Sequence, residues 1–410
     1  MAEWILRPLP FATRQRDHYG DAFTVHIEPG RWVMLADPED VRAVFSAGPR
    51  RTNAGEANEI LRPTLGSRSV LLLDGEEHLR QRKLMLPAFH GERMLRYREI
   101  MRAATERAIA AWPRDQPFAL RPHTQAITLE VIMRAVFGLH GEQAMGRLRT
   151  PLQRLVEWTA DPVALVTLAS LGSEHTVVRR LRRRYLAPID RELYALIAER
   201  RAAGDAHERD DVLSMLLLAR DEDGAAMTDV ELRDELITLL LAGHETTATS
   251  LAWAVERLVH RPGGLGRLAG DPEYLDAVVK ETLRLRPVIA LVLRKLLEPL
   301  VVAGRELPAG TLVAPCILLV HRRPDVYPQP EAFRPERFLG VAPGTYSWIP
   351  FGGGVRRCLG AAFAQMEMQV VLQTIAESVS LEAAGGAERV RRRGITLAPS
   401  RGGRVRLAAA

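Results

Sequence analysis

The strongest constraint on this chain is the stretch Phe351-Gly352-Gly353-Gly354-Val355-Arg356-Arg357-Cys358-Leu359-Gly360. A glycine-rich loop delivers one cysteine and runs into Ala361-Ala362-Phe363-Ala364-Gln365-Met366-Glu367-Met368, which reads as a helix start. A cysteine just ahead of a helix meets backbone N–H groups and the positive end of the helix dipole, and both favour thiolate over thiol. A thiolate is what soft or redox-active metals take as a ligand. The glycines allow tight turns and close passage of a large flat partner. Arg356 adds a fixed positive charge two residues before the cysteine. Alone, the stretch also suits an ordinary buried apolar cysteine.

Composition narrows the setting. The 410 residues, 47% hydrophobic and 26% charged, can bury a large core. No linker-like run, low-complexity tract or internal repeat divides them, so a single domain over 1–410 is expected. Two cysteines, Cys316 and Cys358, cannot build a disulfide framework, and a reducing, cytoplasmic setting is expected. Neither a leader nor a membrane anchor is expected: no apolar run approaches the roughly 20 residues of a span. The longest, Leu236 to Gly243, has Asp234, Glu235 and Glu245 close by. Lys and Arg number 56 against 50 Asp and Glu, a net +6. That modest excess suits a solvated surface or an acidic protein partner. Arginine is spread along the whole chain without a recognised nucleic-acid motif, so nucleic acid is not an expected partner.

Local patterns give mainly helix with small sheets, β-rich near 20–70 and 287–320. Phe23 to Ile27 and Trp32 to Leu35 around Glu28-Pro29-Gly30-Arg31 read as a hairpin. Asp37-Pro38 starts a short helix, and Thr52 to Ser69 reads as a loop. Gly91 to Ile197 is almost wholly helical, with breaks near Pro113 and Pro117, Gly138 to Gly141, and Asp161-Pro162. Arg179 to Arg184 is a solvated basic face, and Arg200 to Asp211 an exposed loop. Pro287 to Leu293 is an apolar run ending in Arg294, Leu300 to Leu319 reads as short strands, with Cys316 as core, and Gly394 to Leu397 is strand-like.

Four further groups carry chemistry. His78 and Arg82, four apart, share one helix face, where two cationic donors suit an anionic group such as a carboxylate pair or simply solvent. Thr228-Asp229-Val230-Glu231 is a capping box opening a helix to about His260. Inside that helix sits Ala242-Gly243-His244-Glu245-Thr246-Thr247. Glycine in mid-helix costs about 1 kcal/mol relative to alanine, which is acceptable if something must lie against the backbone there. Thr246 can instead bond back to a carbonyl four residues earlier, and His244 reads as structural. Glu281 and Arg284 form an acid–base pair on one face, and Phe333-Arg334-Pro335-Glu336-Arg337-Phe338 lies further on.

The spacing Phe-x-x-Gly-x-Arg-x-Cys-x-Gly, filled by Phe351, Gly354, Arg356, Cys358 and Gly360, resembles the haem-binding signature of the cytochrome P450 family. The Gly243-Glu245-Thr246 site resembles that family's oxygen-binding groove, with Glu where many members have Asp. The resemblance covers roughly residues 20 to 400 and implies the P450 fold, with haem between a long central helix and the cysteine loop. It implies haem b ligated axially by Cys358, with cofactor contacts from His78, Arg82, Arg294, Phe351, Arg356 and Gly360. Glu245 and Thr246 become the proton-delivery pair. Leu241, Ala242, Ala290, Leu291 and Val292 become substrate contacts, under a lid region containing Trp158, Leu165, Val166 and Leu168. Glu281, Arg284 and Arg337 become a cluster bracing the cysteine loop. The implied activity is monooxygenation of a hydrophobic substrate such as a fatty acid or terpenoid. O2 is the oxidant, and electrons come from an external ferredoxin and reductase to a monomer. A peroxide-driven peroxygenase on the same fold is the alternative, then a non-catalytic haem-binding protein.

Overall fold

The computed structural model describes residues 2–27, 30–89, 91, 93–160 and 175–408. Three expectations lie outside the described residues: the Glu28-Pro29 turn, the break at Asp161-Pro162, and the lid positions Leu165, Val166 and Leu168. The chain divides into two compact units. One is Met1–Ala57 with Met101–Ile127 and Thr246–Ala410; the other is Asn58–Ile100 with Thr128–Glu245.

In the first unit, Phe23, Val25 and Ile27 alternate with exposed Thr24 and His26, so one face of the Ala22–Ile27 strand is buried. It pairs antiparallel with Gly30–Leu35, Val25 opposite Trp32. Leu312–Pro315 lies parallel to Gly30–Leu35, and Arg294–Leu296 and Thr52–Asn53 complete a five-stranded sheet. Asp37 caps the Pro38–Ser46 helix by accepting the Glu39 N–H at 2.8 Å, with Pro38 in the first turn. That helix buries Val41, Val44 and Phe45 against Leu35, Val313, Ile317 and Ile349. Each such side chain contributes about 1.5–3 kcal/mol on burial. Near the C-terminus, Val390–Arg393 and Thr396–Pro399 form a hairpin, and Arg404–Leu407 pairs with Leu381–Ala383 and Phe118–Ala119.

Three expectations change. Pro287 to Leu293 forms no strand: Pro287 has no N–H to give a ladder, and within this stretch the described residues make a single β-bridge, Ile289 to Thr396. After Cys316 the apolar run turns into a one-turn helix, Ile317–Val320. Cys316 itself is core, and burial pushes its thiol up to about 11. Thr52 to Ser69 is more regular than a loop, holding the Thr52–Asn53 strand, a 3-10 helix at Glu56–Leu61 and a helical turn at Arg62–Leu65.

The second unit contains the helices Gly75–Met85, Glu142–Ala160, Thr176–Ala203 and Val212–Leu218. It also holds the start of the 30-residue helix Asp229–Leu258, which opens with the expected capping box. Thr228 N–H donates to Glu231 Oε2 at 2.7 Å, and Glu231 N–H donates to Thr228 Oγ1 at 3.2 Å. The Arg200 to Asp211 stretch is not exposed at its ends. Arg200 and Asp211 are buried and paired at 2.6 Å, with Ser214 and the Phe137 carbonyl as further partners of the guanidinium. A buried charge is tolerable when paired and hydrogen-bonded in this way.

Candidate functional site

The cysteine loop belongs to the first unit. Gly352 and Gly354 have φ of 66° and 64°, the left-handed region that glycine adopts without strain. Gly353 and Gly354 abut Phe45: a Cβ on the first would overlap the Phe45 ring, and on the second the Phe45 carbonyl oxygen. These two glycines therefore serve close approach to the Pro38–Ser46 helix. Cys358 N–H donates to the Phe351 carbonyl at 2.9 Å, closing the loop, and Cys358 is exposed. The helix that follows begins at Ala361, as expected, and no side chain caps it at Gly360. The dipole of that helix favours an anionic sulfur ahead of its first turn. Phe351 and Arg356 are half-buried. Arg294 is 6% exposed, donates to the Gly353 carbonyl at 3.4 Å and lies 5.7 Å from the Phe45 ring centre.

Behind the loop lies a closed polar cluster. Arg284 Nε donates to Glu281 Oε2 at 2.6 Å and Nη2 to Oε1 at 2.8 Å, with both side chains fully buried. Nη1 donates to the carbonyls of His321 and Pro330, each at 2.8 Å, and Nη2 also reaches the Ala332 carbonyl at 3.2 Å. Arg337 Nε lies 3.2 Å from Glu281, which also accepts the Arg334 N–H at 2.7 Å. The structure thus joins Glu281, Arg284 and Arg337. It adds a member that sequence reasoning missed: His321, a fully buried imidazole bonded to the Arg284 carbonyl and to the Ile349 N–H. Its sequence neighbours are apolar on one side and arginine on the other, which gives no local signal.

The expected substrate contacts separate. Ala290 is in the core with Phe23, Met34 and Cys316, and its carbonyl accepts the Leu318 N–H at 3.2 Å. Leu291 and Val292 are half-buried, and Val292 borders Gly352. Leu241 is half-buried, and Ala242 is exposed in the middle of its helix.

On the long helix, a neighbouring side chain lies against Gly243. A Cβ there would meet Ile132 Cδ1 at 2.9 Å, so the glycine admits a neighbouring isoleucine. His244 is buried and structural, with Nδ1 3.0 Å from the Thr128 hydroxyl. Glu245 and Thr246 are consecutive and half-buried; the Thr246 carbonyl accepts the Ser250 hydroxyl at 3.0 Å. Beyond them, Thr247 is the polar neighbour of Glu367, a fully buried acid on the Ala361–Ser378 helix. Burial pushes the Glu367 carboxyl well above the usual range. Its only sequence signal is an acid in the apolar first half of a helix, nine residues after Cys358. In the second unit, His78 and Arg82 lie on the Gly75–Met85 helix as expected, His78 buried and Arg82 half-buried.

The donor set fits haem. One exposed thiol at a helix start suits iron, and Arg294 and Arg356 in the same unit suit carboxylates. A family model described as Cytochrome P450 matches residues 8–269 and 270–402. This chain belongs to the cytochrome P450 family. A Mycobacterium tuberculosis protein described as cytochrome P450 135B1 is 44% identical, over 98% of this chain and 87% of its own. Another from the same organism, described as cytochrome P450 137, is 40% identical over 95% of this chain and 83% of its own. The solved structure of retinoic acid-bound cyanobacterial CYP120A1 covers 99% of this chain and 95% of its own with a TM-score of 0.84 at 23% identity. The mostly helical architecture with small sheets is thus the P450 fold. As a P450, the chain is a haem-thiolate monooxygenase. Among the described residues no helix is long and apolar enough to cross a membrane.

Proposed function

We propose that this P450 inserts one oxygen atom of O2 into an unactivated C–H bond, or a double bond, of a hydrophobic substrate such as a fatty acid or terpenoid. The observation that carries this reading is Cys358, an exposed thiol at the uncapped start of an 18-residue helix, on a loop backed by a buried ion-pair cluster. Haem b, bound through the Cys358 thiolate, supplies the redox chemistry that activates oxygen. Arg294, Arg356, His78 and Arg82 hold its carboxylates, and Phe351 and Gly360 border it. Glu245 takes protons from solvent and passes them to Thr246, whose hydroxyl holds a water at the reacting side. Leu241, Ala242, Ala290, Leu291 and Val292 offer the substrate an apolar surface and exclude water. Glu281, Arg284 and Arg337 keep the cysteine loop in place.

Residues 1–410 work as one domain, a reading supported by the family match across both units. The net +6 and exposed Arg357 support an acidic ferredoxin, with its reductase, as electron donor to a monomer. A content of two cysteines supports a cytoplasmic setting. The test is a spectral-shift screen of haem-loaded protein against lipids and natural products, with products of the hits identified under isotopically labelled O2. Label in a hydroxylated or epoxidised apolar product is expected; hits confined to hydrophilic compounds would overturn the substrate class. Turnover with hydrogen peroxide alone, at the ferredoxin-driven rate, would replace O2 as oxidant.

A further inference from the structure

We propose that His321 is a positioning residue for the cysteine loop, transmitting the Glu281–Arg284 cluster to the backbone that delivers Cys358. Arg284 has five N–H donors, and they meet five acceptors: both Glu281 oxygens and the carbonyls of His321, Pro330 and Ala332. The guanidinium is saturated, so its influence on the loop needs an intermediary. His321 occupies that place from two directions. Its own carbonyl accepts from Arg284 Nη1 at 2.8 Å, and its ring Nδ1 lies 3.1 Å from the Arg284 carbonyl. The ring's other nitrogen, Nε2, lies 2.8 Å from the Ile349 N–H.

The bond partners fix the tautomer. A carbonyl only accepts, so Nδ1 carries the proton; a backbone N–H only donates, so Nε2 offers its lone pair. A charged imidazole would set two N–H groups against each other at Ile349. Full burial and the nearby Arg284 push the ring down to about 3, which agrees with a permanently neutral side chain. From Ile349 the chain of bonds is short. The Ile349 carbonyl accepts the Gly352 N–H at 3.0 Å, and the Phe351 carbonyl accepts the Cys358 N–H at 2.9 Å. Flanking residues are also tied: Tyr327 Oη donates to the Ser347 carbonyl at 2.9 Å, and Trp348 Nε1 to the Lys280 carbonyl at 3.1 Å. His321 joins the Arg284 backbone to Ile349, the residue from which the glycine turn departs.

The inference rests on the reading of Cys358 as the iron ligand. The test compares His321→Leu, His321→Asn and His321→Gln with wild type as haem-loaded proteins, matched in haem content and far-UV circular dichroism. The readout is the ratio of the strongly red-shifted thiolate form to the blue-shifted form in the ferrous–CO spectrum. Asn retains a donor near the Nδ1 position but no acceptor toward Ile349, whereas Gln can place an oxygen near Nε2. The Leu and Asn variants are expected to lose about tenfold in that ratio, as for one buried hydrogen bond, and Gln to stay near wild type. Wild-type ratios in Leu and Asn would overturn the proposal. If the variants do not load haem, nitrogen NMR of labelled histidine in the wild-type ferrous–CO protein decides. A non-titrating Nδ1–H ring is expected, and an Nε2–H or titrating His321 overturns it. A wild-type spectrum without the red-shifted form would instead defeat the Cys358 reading, independently of His321.

Discussion

Arg284 and Thr246 show how differently single residues weigh in this chain. Arg284 is fully buried with every donor matched, and Glu281, equally buried, depends on it. Arg284→Ala takes from the buried Glu281 carboxylate its bidentate partner, leaving Arg337 and the Arg334 N–H, at a cost of about 3 kcal/mol. Arg284→Lys is expected to fail as well, since one ammonium cannot reproduce a planar fork spanning five acceptors. Both variants should yield little soluble haem-loaded protein, measured by haem content and denaturant midpoint; wild-type loading in the Lys variant would contradict the bracing role. Thr246 is half-buried at the surface of its helix, and Thr246→Ala should leave haem content and substrate binding intact. Product formed per reductant consumed should fall by roughly tenfold as peroxide rises. Unchanged coupling would remove Thr246 from proton delivery.

At the scale of elements, the start of the long helix is fastened to a strap. Asp234 accepts the Arg68 N–H at 2.8 Å, Glu235 the Val70 N–H at 2.7 Å, and the Thr238 hydroxyl donates to Ser69 at 2.8 Å. Gly66, with φ of 89°, presses on Asp234 where a Cβ would overlap the carboxylate. Burial pushes Glu235 up to about 8 from an ordinary 4.5, so the folded state holds a proton that the unfolded state has released. Stability contributed by this group is therefore full below about pH 4.5 and falls as pH rises toward 8. Glu235→Gln stays neutral and keeps an acceptor for Val70. It should flatten stability across that range and raise the unfolding midpoint at pH 8, by no more than a few kcal/mol. A variant with the same pH dependence as wild type would mean that Glu235 is ionised in the folded protein.

Across the whole molecule, what was legible in the sequence is what a few neighbouring residues decide together. The Thr228–Glu231 capping box, the Asp37 cap, the first hairpin and the Glu281–Arg284 pair all rest on short spacings whose chemistry is local. What was not legible depends on residues far apart in the chain. Ile132 explains Gly243, Phe45 explains Gly353 and Gly354, and the core around Cys316 includes Ala290. Arg200 finds Asp211 through burial that polarity alone does not reveal, and His321 and Glu367 acquire their roles through distant partners. The central claim nevertheless comes down to one atom, the Cys358 sulfur. Its most direct test is the ferrous–CO absorption spectrum of Cys358→Ser beside wild type at matched haem content. Wild type should show the strongly red-shifted Soret band of a thiolate-ligated haem, and the variant should lack it. Retention of that band in Cys358→Ser would contradict Cys358 as the ligand.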